Sequence, residues 1–316
     1  MNKIAKHIHL LFLLSAPLVA LVTVILRTVA LLTSYESDVG RYATPTLSFI
    51  VTAVLVALAL VLAILTHELR ELFVVATDYR DLPTLFAEVF GAIALVFFAI
   101  TLPIDASAEG GIPFAMAMAA AILAVAGVVL FVLRAIHGTA ESAAYAMLSL
   151  PLALIGIPVI LYLDLTTTMR VADPAVLLAI LAWGSVGFFF LGEARIALKR
   201  TKWALHTYIT VMTAALTATL SIPNLIYRAV FGAAIFGNVM LDFLALAFFL
   251  LAMARLAAIY AAARHEGKDA TRFAMGLPVA KKAPAAEKKA EEAAPTADAP
   301  KEAADKEDDD EEATDR

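Results

Sequence analysis

Residues Ser48 to Thr66 read SFIVTAVLVALALVLAILT, nineteen consecutive residues without a charge. A helix rises about 1.5 Å per residue and bilayer hydrocarbon is about 30 Å thick, so this run is close to the length of one crossing. Seven further segments of the same character lie near residues 8–32, 84–103, 112–133, 143–163, 174–192, 207–227 and 239–261. The pattern predicts an all-α membrane protein, a bundle of eight transmembrane helices. The first segment follows Lys3 and Lys6 as a secretion signal would. Its apolar run from Ile8 to Leu26 is too long for a signal core, and it continues past Arg27, so it reads as an uncleaved span. Arg27 is expected near the outer end, its head reaching to the headgroups.

Charge divides the chain in two. Residues 1–264 carry 14 acids and 15 bases, whereas the last 52 residues carry 15 acids and 9 bases. The first part has too little charge to coat a water-facing surface, and the second has too few large apolar side chains to build a core. We read 1–264 as an eight-span transmembrane domain and 265–316 as an Ala/Glu/Lys/Pro-rich disordered cytoplasmic tail. Lys281, Lys282, Lys288 and Lys289 would hold the base of this tail near anionic lipid, and the acidic run from Asp308 to Glu312 would be repelled.

Orientation follows from the short loops. Lys3, Lys6, Arg70, Arg80, Arg134, Arg195, Lys199, Arg200, Lys202, Arg264, Lys268 and Arg272 fall on one side, against Arg41, Arg170 and Arg228 on the other. Cytoplasmic loops retain Lys and Arg, so both termini are expected in the cytoplasm and the protein in the cytoplasmic membrane. Arg70, Arg134, Arg195 and Arg255 recur near the inner ends of the even spans, which positive-inside placement explains without any internal duplication. Alanine-rich Ala115–Ala126 and the small residues Gly184, Ser185 and Gly187 suit close helix packing, and Pro151 and Pro158 should kink the fifth span.

Several chemistries are excluded. The chain has no cysteine, which removes disulfides, thiolate metal sites and thiol nucleophiles. All six histidines map to the basic ends of spans, which argues against a haem held by two intramembrane histidines. His67 with Glu68, Glu71 or Glu88 has ligand chemistry, but the stretch lacks the second histidine of a zincin. No Gly-rich phosphate loop or nucleophile elbow is present. An enzyme, a cofactor, a metal site and a nucleic-acid partner are therefore not expected.

One face stands out in the seventh span. His206, Thr210, Thr213, Thr217, Ser221, Asn224 and Arg228 follow at steps of three and four, so they share one side of a helix about 33 Å long. Such a face should not look at lipid. Pro223 on the same helix frees the carbonyl of Thr219, and Asp242 in the eighth span is a candidate partner for Arg228. Thr210, Thr213, Thr217, Ser221, Asn224, Arg228 and Asp242 are the candidate ligand or pathway residues. Two readings follow. The face binds or passes a small solute or lipid, or its hydroxyls only bond their own helix and the protein is a scaffold or regulatory subunit offering its acidic tail to a cytoplasmic protein.

From Ser142 to Tyr260 the chain has a proline-interrupted span (Pro151, Pro158), an outer Asp173-Pro174, an apolar span ending Leu191-Gly192-Glu193-Ala194-Arg195, and a basic loop before two final spans. In these features it resembles a set of uncharacterised eight-span membrane proteins of anaerobic Gram-positive bacteria. The resemblance implies a bacterial membrane fold and no activity.

Overall fold

The computed structural model describes residues 3–36, 41–42, 46–69, 82–138, 143–166, 174–198, 200, 202–233, 235 and 238–264, all within one compact unit. The charged tail, the loop residues Arg70, Arg80, Arg170 and Lys199, and the side chain of His67 lie outside the described residues. The helices are α1 (Lys3–Ser34), α2 (Thr46–Leu69), α3 (Leu82–Ala106), α4 (Gly111–His137), α5 (Ala143–Leu154), α6 (Gly156–Thr166), α7 (Pro174–Ala197), α8 (Trp203–Phe231) and α9 (Val239–Arg264). Two-residue strands β1 (Tyr35–Glu36) and β2 (Arg41–Tyr42) pair between α1 and α2.

Eight spans among the described residues are long and apolar enough to cross a membrane, with α5 and α6 counting as one. Their outward side chains agree. Leu18, Ile64, Phe86, Ile122, Met147 and Phe188 are each at least 60% exposed, a coat that water would not tolerate and hydrocarbon would. The chain is a polytopic helical membrane protein.

The fifth span is broken as its prolines predict. Pro151 and Pro158 cannot donate to the carbonyls of Met147 and Leu154, and the helix divides at Ile155. The break lets two backbones approach α7. A Cβ on Gly156 would lie 2.7 Å from the carbonyl oxygen of Trp183, and one on Gly187 would lie 2.7 Å from that of Ala153. Where lipid supplies no hydrophobic drive, such close approach provides the dispersion contacts that hold helices together. Ala117, Ala120, Ala121 and Ala124 are buried along α4 in the same way, and Trp183, Phe189, Phe190 and Phe248 fill the space between α7 and α9 with edge-to-face rings.

Helix α8 is the least apolar span and the most enclosed, with 78% of its apolar window buried against 28–61% for the others. It packs on α1, α2, α7 and α9. At its far end Gly232 adopts φ 70° and its N–H donates to the Arg228 carbonyl at 2.8 Å, a left-handed cap that ends the helix. There the ring of Tyr227 meets that of Tyr35 in β1, which also packs edge-on against Tyr42 in β2.

Candidate functional site

The polar face of α8 looks entirely into protein. Thr210, Thr213, Thr217 and Ser221 are 0% exposed and Asn224 1%. Three of the hydroxyls bond one turn back along their own helix: Thr210 donates to the His206 carbonyl (2.7 Å), Thr217 to that of Thr213 (2.6 Å) and Ser221 to that of Thr217 (2.8 Å). Thr213 instead crosses to α7 and donates to the Ser185 carbonyl at 3.0 Å. Each end of this face meets a cluster of buried charge.

At one end α1 joins α8 and α9. Arg27 is only 1% exposed, a departure from the expected reach to the headgroups. Its Nη1 donates to the carbonyls of Thr219 (2.5 Å) and Leu220 (2.8 Å), and its Nη2 donates to Asn224 Oδ1 (2.8 Å). The physical reason is Pro223, which leaves the Thr219 carbonyl without its helical donor and so makes a buried acceptor for a cation. Asn224 passes the contact on, its Nδ2 donating to Asp242 Oδ1 at 2.7 Å. The hydroxyls of Thr23 and Thr219 lie 2.6 Å apart beside it.

Asp242 thus answers Asn224, and through it Arg27, instead of bonding the expected Arg228. Arg228 lies in the field of Asp242 but is half-buried, and its Nη1 has no hydrogen-bond partner among the described residues. The stripe keeps Thr210, Thr213, Thr217, Ser221 and Asn224 on one buried face, and Arg228 falls at its edge.

At the other end side chains from α4, α8 and α9 converge on Glu193 of α7. Its carboxylate accepts from Arg255 of α9, through Nε at 2.8 Å and also through Nη2, and from Arg134 Nη2 of α4 at 3.0 Å. His206 Nε2 of α8 stands 3.3 Å away. Arg134 reaches further to Glu88 of α3, with Nε 2.8 Å from Oε1. All five side chains are at most 5% exposed. Two carboxylates face two guanidiniums here, and such pairing is how charges persist where water is excluded. Glu88, weighed in sequence with His67 as a metal ligand, is occupied here by Arg134, and among the described residues no three His, Asp or Glu form a metal-binding group.

This network escaped sequence reasoning, although a signal existed. Glu193 is the only acid between Pro174 and Ala197, and a lone acid in an apolar span needs a buried base. In sequence Arg134 and Arg255 read as bases near the inner ends of even spans, where positive-inside placement accounts for them without a buried partner.

Comparison of the chain with protein-family models, with curated proteins and with solved structures finds no match in any of the three.

Proposed function

We propose that this membrane protein binds or passes a small solute or lipid, with the polar face of α8 as its axis, and that it does so in the cytoplasmic membrane with both termini inside. The observation that supports this is the continuity of that face. A buried hydroxyl row joins the Glu193 network at one end to the Arg27–Asn224–Asp242 cluster at the other, on the most enclosed helix of the bundle. Buried charges are costly in a bilayer and commonly mark solute or proton paths. A carrier closed at both ends would present this face packed, and would wet it only on opening.

The rival scaffold reading is favoured by a different observation: every hydroxyl of the row already has an acceptor. Accessibility separates the two. In this cysteine-free chain, single cysteines at Thr213, Thr217, Ser221 and Asn224 should react with a small water-soluble thiol reagent, and cysteines at Leu216 and Leu220 should stay silent. Silence along the whole row in well-inserted variants would overturn the proposal and leave the scaffold.

A further inference from the structure

A cavity of about 510 Å³ lies between α5, α7 and α8. Its apolar wall includes Leu150, Phe188, Leu191, Leu205 and Ile209, of which the first four are 40–60% exposed and belong to the lipid-facing coat. The cavity therefore opens sideways toward hydrocarbon. Its polar wall is cationic: Arg195 from the end of α7 and Lys202 from the start of α8 line it, both exposed, and among the described residues no acid does.

The third polar group is His206. It is 2% exposed, stacks on Phe189, and turns Nε2 to Glu193, while Nδ1 has no hydrogen-bond partner among the described residues. That Nδ1 edge is buried against Gly192. A Cβ there would fall 2.2 Å from Nδ1, so only the missing side chain lets the ring sit in the cavity wall.

We propose that this cavity is a binding site for an anionic phospholipid of the leaflet that faces the basic end of the bundle, with the phosphate held by Arg195 and Lys202 and an acyl chain along Leu150, Leu191, Leu205 and Ile209. A cationic rim above an apolar groove is complementary to a phosphate joined to a hydrocarbon chain, and the volume falls within the roughly 300–1,000 Å³ range of small-ligand sites. A free anion would use the rim and leave the groove empty. The site borders the Glu193 network through His206 but takes in none of the row from Thr210 to Asn224, so it stands whether or not that row conducts.

The test uses the purified full chain in a neutral detergent, titrated with dioctanoyl phosphatidylglycerol, dioctanoyl phosphatidylcholine and inorganic phosphate. Phosphatidylglycerol should bind at least tenfold more tightly than either alternative. At about 1 kcal/mol per surface cation, Arg195→Gln with Lys202→Gln should weaken it about thirtyfold. Both residues are exposed, so the double variant should fold. Ile209→Trp, which fills the groove and keeps both cations, should also abolish tight lipid binding. Equal affinity for the two lipids, or binding indifferent to the Gln pair, would overturn the proposal. Phosphate as tight as the lipid, or lipid binding unchanged by Ile209→Trp, would show an anion site without a groove and overturn it equally.

Discussion

The guanidinium of Arg27 donates to the main-chain carbonyl of Thr219, the one acceptor on α8 that Pro223 leaves without its helical N–H. A break in one helix is thereby filled by a charge from another. The charge itself is answered through Asn224 by Asp242 of α9.

This relationship predicts a compensating pair. Arg27→Met should destabilise the bundle by roughly 3–5 kcal/mol, because it leaves Asp242 and the Thr219 carbonyl buried without their cation. Pro223→Ala alone restores a helical donor to that carbonyl. In the Arg27→Met background it should recover about 1–3 kcal/mol, the cost of one unsatisfied buried acceptor. A double-mutant cycle of unfolding in detergent measures the coupling, and strictly additive effects would contradict it.

Glu193 is predicted to be the most sensitive acid in the protein. Glu193→Gln removes the common partner of Arg134 and Arg255 and should cost roughly 3–5 kcal/mol. Glu88→Gln should cost less, because Arg134 retains Glu193. Thermal unfolding of the two variants gives the order, and an equal or reversed order would show that the network is not centred on Glu193.

Two glycines a few residues apart should behave oppositely. Gly187→Leu drives a side chain into the Ala153 carbonyl, a main-chain atom that no rotamer change can move, and should cost at least the 1–3 kcal/mol typical of overpacking. Gly184 has nothing within 4 Å of its would-be Cβ, and Gly184→Ala should leave stability unchanged or raise it. The same unfolding assay reads both.

Orientation is open to labelling. Cysteines at Ser107 and Thr167 should react with an impermeant thiol reagent applied to intact cells, and one at Ala285 should not. Labelling at Ala285 would invert the proposed topology.

The tail should be dispensable for the bundle. Truncation after Gly276 removes a segment whose composition cannot form a core, so insertion and thermal stability should be retained. Loss of the truncated protein from the membrane would move the domain boundary.

Much of this architecture was legible in the residues alone. Uncharged runs such as Ser48–Thr66 specify spans because bilayer thickness and helical rise set a length that composition must match, and Pro151 with Pro158 specify a broken helix because a missing N–H is a local fact. The three- and four-residue steps from Thr210 to Asn224 likewise specify a shared face. None of these needs a neighbour. What only the tertiary structure decided is which charges meet. Arg27 looked free to reach the headgroups, and Arg134 and Arg255 looked like cations at the inner ends of their spans, because sequence gives a side chain's depth along its own helix and not the helix opposite. Their burial depends on Glu193, Glu88, Asn224 and the Thr219 carbonyl arriving from other helices, and the electrostatics of a low-dielectric interior make such partners the condition for a charge to remain there.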